Sequence, residues 1–499
     1  MRSTQTFACA VSVCLLAAVP ASAATIVVNA GGSLQSALNA AQPGDTILLQ
    51  AGASFTGNFT LPAKSGTSYI TVRSSASDAQ LPAVGVRMST AYAPLLPKIR
   101  AAGTLYAIRT AAAAHHWRFQ FVEIIGNSSG NTDIVKVGTG SETSNASLPH
   151  HIVFDRVWIH GHATAGAKRG IALNGSDVTV RNSRITEIFR VGVETQALAG
   201  WNGSGPFLIE NNHLSAAGVN VMFGGTDPKI ANLVPSDITI RRNLLTKSVT
   251  WRGAVGTKPV VKNLLELKNA RRVLVEGNRF EYSWEQDQKG YAVLLKPTNN
   301  GAAPWTAVQD VQVRFNRFDH VAGGFIITGR DKVRGSQISR RIRIAGNLLT
   351  DVSRATWGGS GAFVVCGDGT EDVAIDHNTV VHDGPVVNGH GPANVRFVYT
   401  NNLSKHNQYG IYGNGYGAGF VSLNIYFPGA TIRRNVMAGG DASKYPADNF
   451  FPPASQFLGN FVSAASGNYR LALSSPYNDA GTDGRDVGAD IDALNAAAR

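Results

Sequence analysis

Lys268 and Lys296 close two similar apolar runs, Leu264-Leu-Glu-Leu-Lys268 and Ala292-Val-Leu-Leu-Lys296. Each run alternates in character, which predicts a strand with one face inward and one outward. As neighbours the two strands would lie about 4.8 Å apart, stacking Lys268 on Lys296 with Glu266 on the same face two residues before Lys268. Two stacked ammonium groups repel, which tends to lower one pKa and make that lysine a better base. Arg330, just past the run Phe325-Ile-Ile-Thr-Gly329, adds positive charge. Such a cluster suits β-elimination from a uronate polymer. That reaction removes a proton next to a carboxylate, so it needs a base, neutralisation of the developing charge and an acid for the leaving oxygen. The competing expectation is a row of exposed residues that only keeps a sheet face soluble.

A second group is Glu194, with Arg190 before it, Gln196 after it and Trp201 beyond. A carboxylate, a cation and an aromatic platform are parts of a sugar site. Aligned by their apolar partners, the outward positions form two columns: Ala172, Glu194, Met222, Glu266, Leu294, and Asn174, Gln196, Gly224, Lys268, Lys296. Glu194 and Glu266 would then stand two coils, about 10 Å, apart. That is too far for a retaining pair of carboxylates and at or beyond the limit for an inverting pair. His150, His151, His160 and His162 cluster early, and His160-x-His162 is a candidate metal pair without an obvious third ligand, so surface histidines and no metal are expected. Asp479, Asp483, Asp486, Asp490 and Asp492 do not match a calcium-loop spacing and read as solvated turns. No nucleotide loop, nucleophile elbow or zinc motif is present.

The elements that would hold these residues are legible as a repeat. Eight alternating segments each run into an asparagine: Asn212, Asn243, Asn278, Asn316, Asn347, Asn378, Asn402 and Asn435. Self-similarity of this kind marks a solenoid. Asn suits turns, where it tolerates left-handed backbone, and stacked amides can bond from coil to coil. The predicted fold is all-β, a parallel β-helix. Ser33 to Ala41 reads as a short amphipathic helix laid over the first coil, and a solenoid needs such a cap. Residues 24–65 are expected to form the N-terminal cap, 66–465 the coils and 466–499 a C-terminal cap, all within one domain.

Residues 1–23 read as a secretory signal, with Arg2, an apolar stretch to Val19 and Ala21-Ser-Ala23 at the cleavage site. The expected destination is therefore secreted or periplasmic, without stable membrane insertion. Cys9 and Cys14 fall inside that segment, which leaves Cys366 with no disulfide partner. A net charge of +12 is compatible with attraction to an acidic polymer such as a uronic-acid polysaccharide or to lipid head groups, and equally with a solvated basic surface. No dense basic run points to nucleic acid.

The capping helix followed by Pro43-Gly-Asp-Thr-Ile-Leu-Leu49, the Asn column and the glycine-rich coils resemble the pectin-lyase-like right-handed parallel β-helix superfamily. That resemblance covers nearly all of the chain after the signal. It implies the fold; lyases, hydrolases, esterases, epimerases and pure binders all share it. The stretch Leu264 to Phe280, with Gly290 to Lys296 one coil later, resembles the catalytic stretch of polysaccharide lyase family 6. This second resemblance implies Lys268 as base and Glu266 as a calcium ligand or carboxylate neutraliser; the charge of Lys296 or Arg330 would assist. The chain departs from that family at Lys296-Pro297, where the family carries Arg-His, and the family's set of acidic calcium ligands is not evident. The functional expectation is a lyase acting on an acidic polysaccharide, with a glycoside hydrolase or a non-catalytic carbohydrate-binding solenoid as alternatives. The calcium requirement is left open.

Overall fold

The computed structural model describes residues 23–130 and 132–499. The signal-like segment, but for Ala23, lies outside the described residues. The chain winds through three long parallel sheets of 14, 13 and 12 strands, each coil giving one strand to each sheet. Crossovers between parallel strands are right-handed, and the result is a right-handed parallel β-helix. The asparagine segments and the apolar runs that follow them account for two of these strands. The third is a short strand straight after each asparagine, such as Leu244–Thr246 or Arg279–Ser283. At three to five residues straight after a turn, these strands carry little alternation to stand out from it.

The capping helix spans Leu34–Ala40. Ser33 is its N-cap and accepts from the Ser36 amide, and Leu34, Ala37 and Leu38 are buried against the first coils. Within the coils, Val, Ile, Leu and Phe alternate inward to make one continuous core. Rings stack along it, Phe280 on Phe318 at 4.6 Å and Phe119 on Phe154 at 5.6 Å.

The asparagine column lies at the turn between the first and second sheets. Each Nδ2 donates to the Oδ1 of the next asparagine, at 2.9–3.0 Å from Asn212 through Asn435. Each Oδ1 also accepts the backbone N–H of the asparagine before it, as Asn278 does from Asn243 at 2.9 Å. Asn449 adds a final rung below Asn435. At the upper end Ser183 takes the place, its N–H donating to Asn212 Oδ1 at 2.9 Å. The expected left-handed backbone belongs to the preceding residue instead: Asn211, Arg242, Phe315, His377, Asn401 and Arg434 have φ between 50° and 58°. That residue makes the turn, which leaves the column asparagine extended enough to aim its amide along the axis.

The tail packs Tyr477 and Val487 on the last coils and then runs back along the outside of this corner. Ala489 N–H donates to Thr379 Oγ1, Ile491 and Leu494 pack on Leu348, and Arg242 donates to the Arg499 carbonyl. The tail aspartates serve local turns: Asp490 N-caps the helix Ile491–Ala497 and Asp492 pairs with Arg470. Among the described residues no helix is long and apolar enough to cross a membrane.

Candidate functional site

The outward residues of the third sheet follow one register. Arg109, Lys136, Ala172, Ala199, Met222, Glu266, Leu294 and Ile326 occupy successive coils of one column. The expected places of Met222, Glu266 and Leu294 hold. Glu194 does not stand in that column; Ala199 does. The strand runs Gln196–Gly200, four residues later than the alternation Gly192-Val-Glu-Thr-Gln196 suggests. Gly192 has φ 69° and Thr195 is buried with its hydroxyl on the Ile188 carbonyl, so this stretch is the turn into the sheet. The true strand, Gln-Ala-Leu-Ala-Gly, is poor in β-branched residues and gives a weak signal.

Glu194 nonetheless reaches the same cluster from the turn. Its Oε1 accepts from Gln196 Nε2 at 2.9 Å, and its Oε2 pairs with Lys262. Lys262 was not foreseen; it lies in the loop before the strand Leu265–Leu267, outside any alternating run. Glu266 is fully buried. One of its oxygens accepts from Asn263 Nδ2 at 2.7 Å and the other lies 2.6 Å from Lys268 Nζ. The Lys268 side chain is 15% exposed and its ammonium also touches the Met222 sulfur at 4.0 Å.

Electrostatics follow from this pairing. Burial pushes Lys268 down, but Glu266 and Glu194 outweigh it and hold the ammonium above the usual lysine range. The expected lowering by a second stacked ammonium therefore fails: the carboxylates are nearer and stronger partners. Burial alone would raise Glu194, yet the Lys262 hydrogen bond and the Lys268 charge hold it below the usual carboxylate range. Lys296 is exposed, one residue past the strand Tyr291–Leu295 and one coil from Lys268. Arg330 is exposed just past the strand Gly323–Thr328.

Trp201 and Arg190 part company. Trp201 caps the far side of the strip, with the Arg169 guanidinium 5.1 Å from its ring. Arg169 is the register partner of Gln196 and pairs with Asp133 at 3.0 Å, so it links Trp201 to the Glu194 end. Arg190 instead donates to the Ser129 carbonyl at 2.6 Å and lines a separate cleft with Phe189, Trp251 and Lys258. A second residue missed from sequence is Lys247, fully buried against the turn that leads into this sheet. Its ammonium donates to the carbonyls of Ala216, Ala217 and Gly218, and burial pushes it down to about 7, with Glu266 opposing.

Calcium does not fit this cluster. It takes six to eight oxygen ligands, whereas Glu194 and Glu266 each already face an ammonium. His160 and His162 do not pair either: His160 Nε2 lies 3.0 Å from Glu123 Oε1 and His162 Nδ1 turns to Thr164.

No protein-family model and no curated protein matches the sequence. Among solved structures, the catalytic unit of the GH87 α-1,3-glucanase from Streptomyces thermodiastaticus strain HF3-3 is similar at 14% identity and TM-score 0.50, over 89% of this chain and 72% of that one. The PL6 family alginate lyase AlyGC matches at 12% identity and TM-score 0.46, over 86% of this chain. The present chain spans about half, 51%, of that lyase's length. Pectate lyase Pel9A matches at 13% identity and TM-score 0.33, over 94% and 96% of the two chains. At such identities the glucanase likeness speaks for the fold alone, a parallel β-helix.

Proposed function

We propose that this chain is an exported enzyme that cleaves an acidic, uronate-containing polysaccharide by β-elimination on the outer face of the third sheet. The observation that carries the reading is the Lys268–Glu266 pair: a mostly buried lysine on a buried carboxylate, opening onto an outward sheet face. The signal-like N-terminus and the net charge of +12 support export and an acidic substrate. Lys268 takes the proton next to the substrate carboxylate, exposed Lys296 one coil on neutralises the charge that develops, exposed Arg330 a further coil on adds positive charge, and water protonates the leaving oxygen. Trp201 and Arg169, upstream on the same face, offer an aromatic and cationic platform for further sugar units.

The pairing dictates a pH response. Lys268 acts as a base only after losing a proton that Glu266 and Glu194 hold in place. The rate therefore climbs as pH rises toward the raised pKa. A hydrolase would need one carboxyl kept protonated, and Glu194, held low by two ammonium groups, does not supply it. The test is a panel of polysaccharides followed by ultraviolet absorbance of unsaturated sugar ends and by reducing-end release. Absorbance growing on a uronate polymer supports the reading. Reducing ends without absorbance point to a hydrolase, and binding without product points to a carbohydrate-binding solenoid.

A further inference from the structure

His115-His116 opens the strand His115–Gln120, and His150-His151 opens the next strand of the same sheet, His150–Asp155. The dipeptides stack ring on ring: His115 on His150 at 4.7 Å and His116 on His151 at 4.4 Å. His116 and His151 hold left-handed backbone, φ 59° and 54°. That conformation is uncommon without a glycine, and it folds the second imidazole of each dipeptide back beside the first. In each dipeptide the two Nδ1 atoms consequently lie 2.7 Å apart. One nitrogen from each of His115, His116 and His150 falls within 4.8 Å of the other two. Ring stacking alone does not require nitrogens turned toward one another. On the next coil Asp177 lies 3.0 Å from His151 Nε2 and so fixes the ring on which His116 stacks.

We propose that His115, His116 and His150 bind a divalent transition-metal ion of the zinc, nickel or copper class. Imidazole suits these ions, with bonds of about 2.0–2.1 Å to zinc. Small ring rotations bring three nitrogens already this close to such a distance. His151, paired with Asp177, lies outside this trio. The site lies on the first sheet, several coils before Lys268, and would tie two coils together.

Calorimetric titration of the full chain with Zn²⁺ tests this. The expected result is one ion per chain, with affinity reduced at least about tenfold in His150→Gln and in His116→Asn; Asn tolerates the left-handed backbone. The double variant His160→Gln/His162→Gln is expected to bind as the wild type does. Wild-type binding weaker than about millimolar, or unchanged affinity in His116→Asn, overturns the proposal. Should the variants fail to fold, electron paramagnetic resonance of the wild-type chain with one equivalent of Cu²⁺ decides. Couplings from three imidazole nitrogens support the site, and fewer overturn it.

Discussion

At the turn between the first and second sheets, one amide is repeated from Asn212 to Asn435, and each copy finds its partner in the next coil. On the outer face of the third sheet the register reads Ala172, Ala199, Met222, Glu266, Leu294, and a carboxylate appears in that stretch once. The first region satisfies its polar groups by repetition. The second must satisfy a buried charge with groups from outside the register: Lys268, Asn263 and, for Glu194, Lys262. A third case lies between them. Six residues before the column asparagines stand Asp237, Arg272, Asp310, Arg341, Asp372 and Arg396, charges that alternate in sign and pair along the axis. A charge that repeats with its counter-charge is scaffold. A buried charge that occurs once, held against the cost of burial, marks the place to look for chemistry.

The sharpest way to break this contrast is Lys268→Arg. Arginine keeps the positive partner of Glu266 but does not release its proton. Elimination is expected to fall about 100-fold or more, while circular dichroism and the melting temperature stay near wild type. Asn278→Ala should do the opposite. It removes an acceptor of the Asn243 N–H and amide and a donor to Ile240 and Asn316, all buried. A stability loss of about 3 kcal/mol follows from the groups left unpaired, read by urea denaturation, with activity retained wherever the protein is folded. Arg272→Ala sharpens the third case. Its 2.7 Å contacts to Asp237 are half exposed, so the loss should stay under about 1 kcal/mol and shrink in salt.

How far the sequence speaks follows the same division. The asparagine spacing reveals the coils because each unit must present the same amide to the next. The register of Met222, Glu266 and Leu294 is readable because those strands alternate strongly. Glu194 is misplaced by its β-branched neighbours, which form a turn rather than a strand. Lys262 and Lys247 are invisible in sequence: one sits in an irregular loop, and the other lies just past a three-residue strand with its ammonium on backbone carbonyls. His115 and His116 escape notice because their value depends on His150 one coil away. Only coil-to-coil neighbours show these roles, and that information resides in the fold.

The central claim is that Lys268 transfers the proton and that Glu266 sets when it can. The direct measurement is the pH dependence of elimination for wild type and Glu266→Gln. In the wild type the carboxylates raise Lys268, so the rate should keep climbing at alkaline pH. Without the Glu266 charge, burial pulls the lysine down against Glu194 alone, and the rise should move to lower pH. A profile that stays in place while the variant remains folded and active would contradict the account.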